Sequence, residues 1–466
     1  MRVWLLSVAL WLLLITPIQS AVPVETFDRF LSQQVERHNL TGLVVVIVDR
    51  EGVVYQAGFG DVKPSSSLPI ASLSKAFTAT AVMQQVEAGR IALDAPVQTY
   101  LPWFDFEHIT VRQLLNQVSG LGDAGYPPPN FSPDTPLEVA VHDLVQKAKP
   151  VSSAGSTYHY FNPNYQTLGL IVERVTGQPF SDYLQTHLFM PLQMDDTTTM
   201  PPLMPADLPP GHITAFGFPI AAPETVYGQY AIPSGGIVST TNDMAHFLLM
   251  QLNAGRFGNA TIVSPESITL IHTPPSDIES PYAMGWKTGM FNGIPLLEHG
   301  GDLNTYHAQM VLLPEQGAGF VLMLNQNGFL HNLTSYAELN QGIVALLTGQ
   351  SPPQTLSMRT LGLGLLAAML ITVSLDGWLL IRLWRHRDRW RHHSWGRLIA
   401  SSSINLIPLV VLLALPYLIW PLLGRFASYD LLFIAQPDIL LWLTIIAGVG
   451  LIQAGIKLWL KSDIVI

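Results

Sequence analysis

Three long apolar runs end the chain, and they set its organisation before any motif is read. Leu361–Ile381, Leu398–Leu423 and Ile439–Leu460 hold at most one charged residue each. The first would be about 30 Å long as a helix, enough to span a bilayer. Arg382, Arg385, Arg387, Arg389 and Arg391 follow the first run, Gly424–Asp430 forms a short turn before the third, and Lys457 and Lys461 lie at its end. Basic segments favour the cytoplasmic side, so the Arg-rich loop and the C-terminus are expected there. Everything upstream is then extracytoplasmic. At the other end, Arg2 precedes the apolar run Val3–Ile15 and the stretch Thr16–Ala21, a secretory signal pattern over residues 1–20. The two ends predict the same topology. Asp376, inside the first run, reads as a helix-packing or water-facing residue.

Shorter patterns fill the middle. Leu43–Val48 and Val53–Gln56 are β-rich and flank Asp49-Arg50-Glu51-Gly52, which predicts a hairpin. Residues 305–313 and 319–325 predict a second, turning through Pro314–Ala318. Helical patterns cover 74–88, 110–117, 164–175, 179–188, 242–254 and 333–348. Strands at both ends with helices between predict an α+β domain over residues 21–350. The first hairpin is expected to join the last strands in one antiparallel sheet. Met200–Pro233 is proline-rich without clear periodicity and reads as long loops. Ser351-Pro352-Pro353-Gln354 opens a stiff linker over 351–360, and residues 361–466 form a transmembrane module of three helices.

Composition sharpens this picture. Hydrophobic residues make up 48% of 466 and charged residues 12%, with mean hydropathy +0.31, too apolar for one soluble enzyme. The absence of cysteine excludes disulfides, thiolate catalysis and Cys-ligated zinc, and suits a bacterial envelope. The net charge is −10, yet residues from Ser351 onward carry ten Lys and Arg against five Asp and Glu. The body upstream is therefore strongly acidic and unsuited to nucleic acid. A small-molecule or peptide substrate and membrane lipid remain as partners.

The candidate chemistry begins at Ser72-Leu73-Ser74-Lys75, at the start of a predicted amphipathic helix closed by Gly89. Three residues apart, Ser72 and Lys75 share a face, so the amine reaches the hydroxyl. The helix N-terminus favours negative charge on the attacking oxygen, and its free N–H groups can donate to an oxyanion. For Lys75 to accept a proton, burial or positive neighbours must lower its pKa. Tyr160-Phe161-Asn162 precedes another helix. Tyr160 can relay a proton between serine and leaving group, while Asn162 can orient the lysine and bond a substrate carbonyl. His299-Gly300-Gly301 precedes a strand. Its glycines let substrate backbone lie along the strand edge, and the N–H of Asp302 offers a second oxyanion donor. No second histidine or carboxylate stands at metal-binding spacing from His299, so neither metal nor cofactor is expected.

These residues resemble the serine β-lactamase and penicillin-recognising family, in its class C β-lactamase, DD-peptidase and esterase branch. Ile70–Thr78 is similar to the nucleophile motif, Glu87–Val97 to the stretch after its helix, and Leu114–Leu121 to the segment "LLTHTSGL". Ser234–Thr240 and Met284-Gly285-Trp286 also fit, and His299-Gly300-Gly301 resembles the branch's form of the K-T-G triad. The resemblance implies an antiparallel sheet flanked by helices beside an all-helical subdomain, with the site in the cleft between them. It implies an acyl-enzyme on Ser72, with Lys75 and Tyr160 sharing base and acid roles and Asn162, His299, Gly301 and Asp302 binding substrate. Tyr158, Phe161 and His299 depart from the usual residues, and Asp302 sets a carboxylate beside the oxyanion site. The expected substrates are β-lactams, D-amino-acid peptides of peptidoglycan type or small esters. The alternative is a receptor acylated without turnover that signals through its transmembrane helices.

Overall fold

The computed structural model describes residues 22–122, 131–200, 208–224, 228–423 and 429–462. The signal stretch 1–20 and most of the Gly424–Asp430 turn lie outside the described residues.

Nine strands bear on the site. They are β1 (Gly42–Asp49), β2 (Val53–Gly60), β3 (His212–Ala215), β4 (Phe218–Ala221), β5 (Lys287–Phe291), β6 (Ile294–Asp302), β7 (His307–Leu313), β8 (Ala318–Leu324) and β9 (Gln326–Asn327). Six of them form one antiparallel sheet in the order β5-β6-β7-β8-β1-β2. The N-terminal hairpin closes onto the last strands, with Leu43 opposite Leu324 and Val45 opposite Leu322.

The central strands are apolar at nearly every position because both faces are covered. Val44, Val46 and Val48 of β1 enter one core, while Leu43, Val45 and Ile47 enter the other. The second core holds Phe27 and Leu31 of α1 (Val24–His38) and residues of a late helix, Leu339 and Ile343. The first holds Phe77 of α2 (Ser74–Glu87), Tyr165 of α3 (Asn162–Thr176) and Phe247 of α4 (Thr241–Leu252). Phe77 and Phe247 stack at 3.9 Å between ring centroids. The late helix of the second core is α5 (Ser335–Leu347).

Two expectations need correction. The helix after Ser72 is not amphipathic: Ser74 to Met83 is buried without a break, because other elements cover it all round. The stretch Met200–Pro233 is not wholly loop, since it contains the β3–β4 hairpin and part of a short helix, Ile232–Gly235. Phe216 and Gly217 turn that hairpin with φ of 52° and 80°. A two-residue turn with two positive φ angles matches the twist of the flanking strands. β3 also pairs in parallel with β9.

Three helices at the C-terminal end are long and apolar enough to cross a membrane: α6 (Met358–Arg385), α7 (Trp395–Leu423) and α8 (Pro437–Ser462).

Candidate active site

The nucleophile turn is built by backbone constraints. Ile70 N–H donates to Ile237 O at 3.0 Å, and Ala71 takes a positive φ of 47°. A left-handed alanine is uncommon and persists only where its surroundings hold it. Ser74 Oγ holds it, donating to Ala71 O at 2.7 Å and accepting from Ile237 N–H at 3.2 Å. Ser72 sits in the single 3₁₀ turn Ala71–Leu73, half-buried, immediately before α2.

Lys75 lies in the first turn of α2 and is fully buried. Its Nζ donates to Ser72 Oγ at 3.2 Å and to Ser234 O at 2.6 Å. Tyr160 OH donates to Ser72 Oγ at 3.0 Å. The lysine nitrogen also lies 4.8 Å from the Tyr160 ring centroid and 5.8 Å from that of Tyr165. Aromatic faces attract a cation through their quadrupole. The hydroxyl, the amine and the phenol thus converge on one point.

A clamp positions Tyr160. Gln117 Oε1 accepts from Phe161 N–H at 3.1 Å and from Asn164 Nδ2 at 2.7 Å, and Ser119 Oγ donates to Asn164 Oδ1 at 2.9 Å. Tyr165 OH donates to Leu115 O at 2.7 Å. The segment 115–119 therefore grips the start of α3, just after Tyr160. Asn162 is set apart from the lysine bonds to Ser72 and Ser234. It is exposed at the start of α3, and the carbonyl of Ser234 accepts from Lys75 Nζ.

β6 supplies the opposite wall. β5 pairs with β6 only as far as Lys287 opposite Glu298, so among the described residues 299–302 keep that edge unpaired by a strand. A Cβ on Gly301 would fall 2.4 Å from Ile70 O and 3.0 Å from Ser72 N. Glycine is therefore what lets the strand approach the nucleophile turn. Asp302 turns its carboxylate onto His307 Nδ1 at 2.8 Å and Asn327 Nδ2 at 3.3 Å. Its charge is thereby tied to two partners.

His299 Nδ1 lies 2.7 Å from Gly300 O, and Nε2 lies 3.0 Å from Tyr282 OH. A carbonyl only accepts, so Nδ1 carries the proton and Nε2 accepts from the phenol. Burial, reinforced by the ammoniums of Lys75 and Lys287, pushes the His299 pKa down to about 3. Burial also raises Tyr165 and Tyr282 well above the usual tyrosine range. Lys287 Nζ stands 6.0 Å from the Tyr160 ring centroid. Burial holds the neighbouring Glu298 carboxyl above its usual range, with Lys287 opposing. Sequence reading missed Lys287, Gln117 and the Ser234 carbonyl. Ser234 and Gln117 did fall inside stretches already singled out, whereas Lys287 carried no motif.

A serine, a buried lysine and a tyrosine meeting beside a buried antiparallel sheet covered by helices is a geometry suited to acyl transfer. Residues 27–343 match the model of the beta-lactamase family, and the chain belongs to that family. It is 27% identical over 333 residues to Protein flp of Staphylococcus aureus (strain MW2), across 65% of this chain and 63% of that protein. The chain thus spans less than two thirds of that relative. It is 28% identical over 358 residues to Penicillin-binding protein 4 of Amycolatopsis lactamdurans, across 70% of this chain and 91% of that protein. The octameric penicillin-binding protein homologue from Pyrococcus abyssi superimposes with a TM-score of 0.59 at 26% identity, covering 71% of this chain and 78% of that one. The expected β-lactamase and transpeptidase-like fold is the one found.

Proposed function

We propose that this protein is a membrane-anchored serine hydrolase that cleaves amide or ester bonds through an acyl-enzyme on Ser72. One observation carries the reading: Ser72 Oγ lies within hydrogen-bond distance of both Lys75 Nζ and Tyr160 OH, at 3.2 and 3.0 Å. Either group, when deprotonated, can take the serine proton as Oγ attacks the carbonyl carbon. The N–H groups of Ser72 and Asp302 donate to the developing oxyanion. The group that took the proton returns it to the leaving nitrogen or oxygen, and the C–N or C–O bond breaks. Water then attacks the ester carbon and gives its proton to the same pair; the C–Oγ bond breaks, the pair returns that proton to Ser72 Oγ, and the acid leaves.

The substrate class is a β-lactam, a D-amino-acid peptide or a small ester. Lys287 places a positive charge at the cleft, which favours acyl donors that carry an anionic group. The catalytic domain faces away from the cytoplasm, supported by the arginines between the first two apolar helices. Turnover of a nitrophenyl ester and labelling by a fluorescent penicillin test the reading. Hydrolysis lost in Ser72→Ala supports it, and hydrolysis that survives overturns it. A second reading, a receptor acylated without turnover, draws support from the direct bond between Phe216 N–H and Asp438 of α8, at 2.9 Å. Stable penicillin labelling with no product release would favour it.

A further inference from the structure

The β3–β4 hairpin and the turn Phe329–Leu333 carry apolar side chains into the open where the chain enters its apolar helices. Phe218 is 45% exposed, Ile220 48%, Phe329 49% and Leu333 64%. Phe218 and Ile220 stand two apart on β4 and so share one face. Their place in the fold groups these residues. A Cβ on Gly362 would fall 2.1 Å from the Gly217 nitrogen, and one on Gly217 2.9 Å from Arg359 Cα. The hairpin tip therefore rests on the first turns of α6, and through Phe216 N–H on Asp438, the second residue of α8. The other turn is bracketed alike. A Cβ on Gly328 would lie 3.7 Å from Ala435 O, and Thr334 Oγ1 donates to Met358 Sδ at 3.7 Å. Both apolar edges thus sit level with the starts of α6 and α8. Arg359 is exposed in the first turn of α6, a cation at the same height.

We propose that Phe218, Ile220, Phe329 and Leu333 form a lipid-contacting collar that seats the hydrolase domain in the outer surface of the bilayer. The proposal rests on the reading that the three apolar helices cross that bilayer. Apolar side chains at the start of a span meet the boundary between headgroups and acyl chains, where their removal from water is favourable. The seat reaches the active site. β3 pairs with β9, and Asn327 of β9 donates to Leu303 O at 2.6 Å and to Asp302 Oδ1 at 3.3 Å. The collar therefore holds one end of the catalytic cleft at a fixed height above the lipid.

The chain has no cysteine, so single-cysteine labelling needs no background removal. Ile220→Cys and Leu333→Cys, made in the full chain, are labelled with a small fluorophore and reconstituted in nanodiscs containing brominated phospholipid. Leu370→Cys, exposed in α6, is the positive control. Val53→Cys is the negative one, because it begins β2 at the opposite end of β1 from Asn39, whose side chain bonds Gly217 O at 3.4 Å. Quenching at 370, 220 and 333 but not at 53 is the expected result. Quenching at 370 alone overturns the collar and leaves the membrane spans standing. No quenching at 370 overturns both, and equal quenching at 53 overturns the collar as well.

Discussion

The β-lactamase-family domain hides its large apolar side chains, while the three-helix module displays them. Leu43, Phe77, Trp286 and Leu322 are fully buried in the domain, whereas Leu370, Ile371, Leu375 and Trp378 of α6 are all exposed. The polar pattern inverts as well. Asn405 of α7 bonds Gln453 of α8 at 2.8 Å, Gln453 donates to Asp376 O at 3.1 Å, and Lys457 donates to Ser401 Oγ at 2.5 Å. Polar groups that hydrocarbon would leave unsatisfied find partners between helices. One rule therefore fits both regions if the outside of the three-helix module meets lipid, as proposed.

The largest test of this contrast is chemical, because the domain should hold all of the reactivity. Ser72→Ala is expected to lower ester turnover by at least about 10³-fold, roughly 4 kcal/mol of transition-state stabilisation. Asn405→Ala in the module should leave it within about twofold, well under 1 kcal/mol. Lys75→Ala should cost several orders of magnitude, since it acts as a unit with Ser72. A loss below about tenfold, roughly 1.4 kcal/mol, would remove Lys75 as the base. Equal losses from Ser72→Ala and Asn405→Ala would break the contrast.

The next test compares one substitution in two solvents. Leu322→Ala opens a cavity in the domain core and should cost about 2–5 kcal/mol. Leu370→Ala, on the lipid side, should stay within about 0.5 kcal/mol, as for surface positions away from special features. Chemical unfolding of the full chain in nanodiscs, followed by near-ultraviolet circular dichroism, reads both. Comparable losses would mean that α6 packs against protein rather than lipid.

What could be read from the sequence follows the same division. The three C-terminal helices were legible because their apolar runs are long, and the central sheet because its buried strands read as mostly apolar runs. Ser72 and Lys75 were legible because a three-residue spacing on a helix sets them side by side, and Tyr160 because it stands in the short motif Tyr160-Phe161-Asn162. The β3–β4 hairpin was not, since Phe216-Gly217 lacks the Asn-Gly or Asp-Gly signature of such turns. The bond from Lys75 to the carbonyl of Ser234 was not legible, because a backbone acceptor leaves no trace in a side-chain pattern. Lys287 reaches the site only through the β5–β6 register, which no local motif encodes.

The seam between the two regions should respond more modestly. Asp438→Ala removes the acceptor of Phe216 N–H, at a residue whose positive φ is unusual for a bulky side chain. A buried donor left unpaired costs about 1–3 kcal/mol. Asp438→Asn keeps an acceptor oxygen and should recover most of the loss in the same unfolding assay. If both variants lose equally, the charge of Asp438 matters rather than its bond to the hairpin.

The last test concerns His299, which the domain buries as a neutral group. Its pKa is held at about 3, against an ordinary value near 6.5. Below pH 6.5 the unfolded chain binds a proton that the native state refuses, so ν_U exceeds ν_N and stability rises with pH across this window. The His299 contribution is therefore complete above about pH 6.5 and is lost as pH falls toward 3, at no more than about 1.4 kcal/mol per pH unit. His299→Asn keeps a donor for Gly300 O and removes the titration. The stability gap between wild type and variant should shrink steadily from pH 7 to pH 5, while groups common to both cancel. Ester turnover should show no inflection near 6.5 that His299→Asn abolishes. A constant gap, or such an inflection, would mean that the imidazole titrates as it does in water and that this wall of the site is wetter than its burial implies.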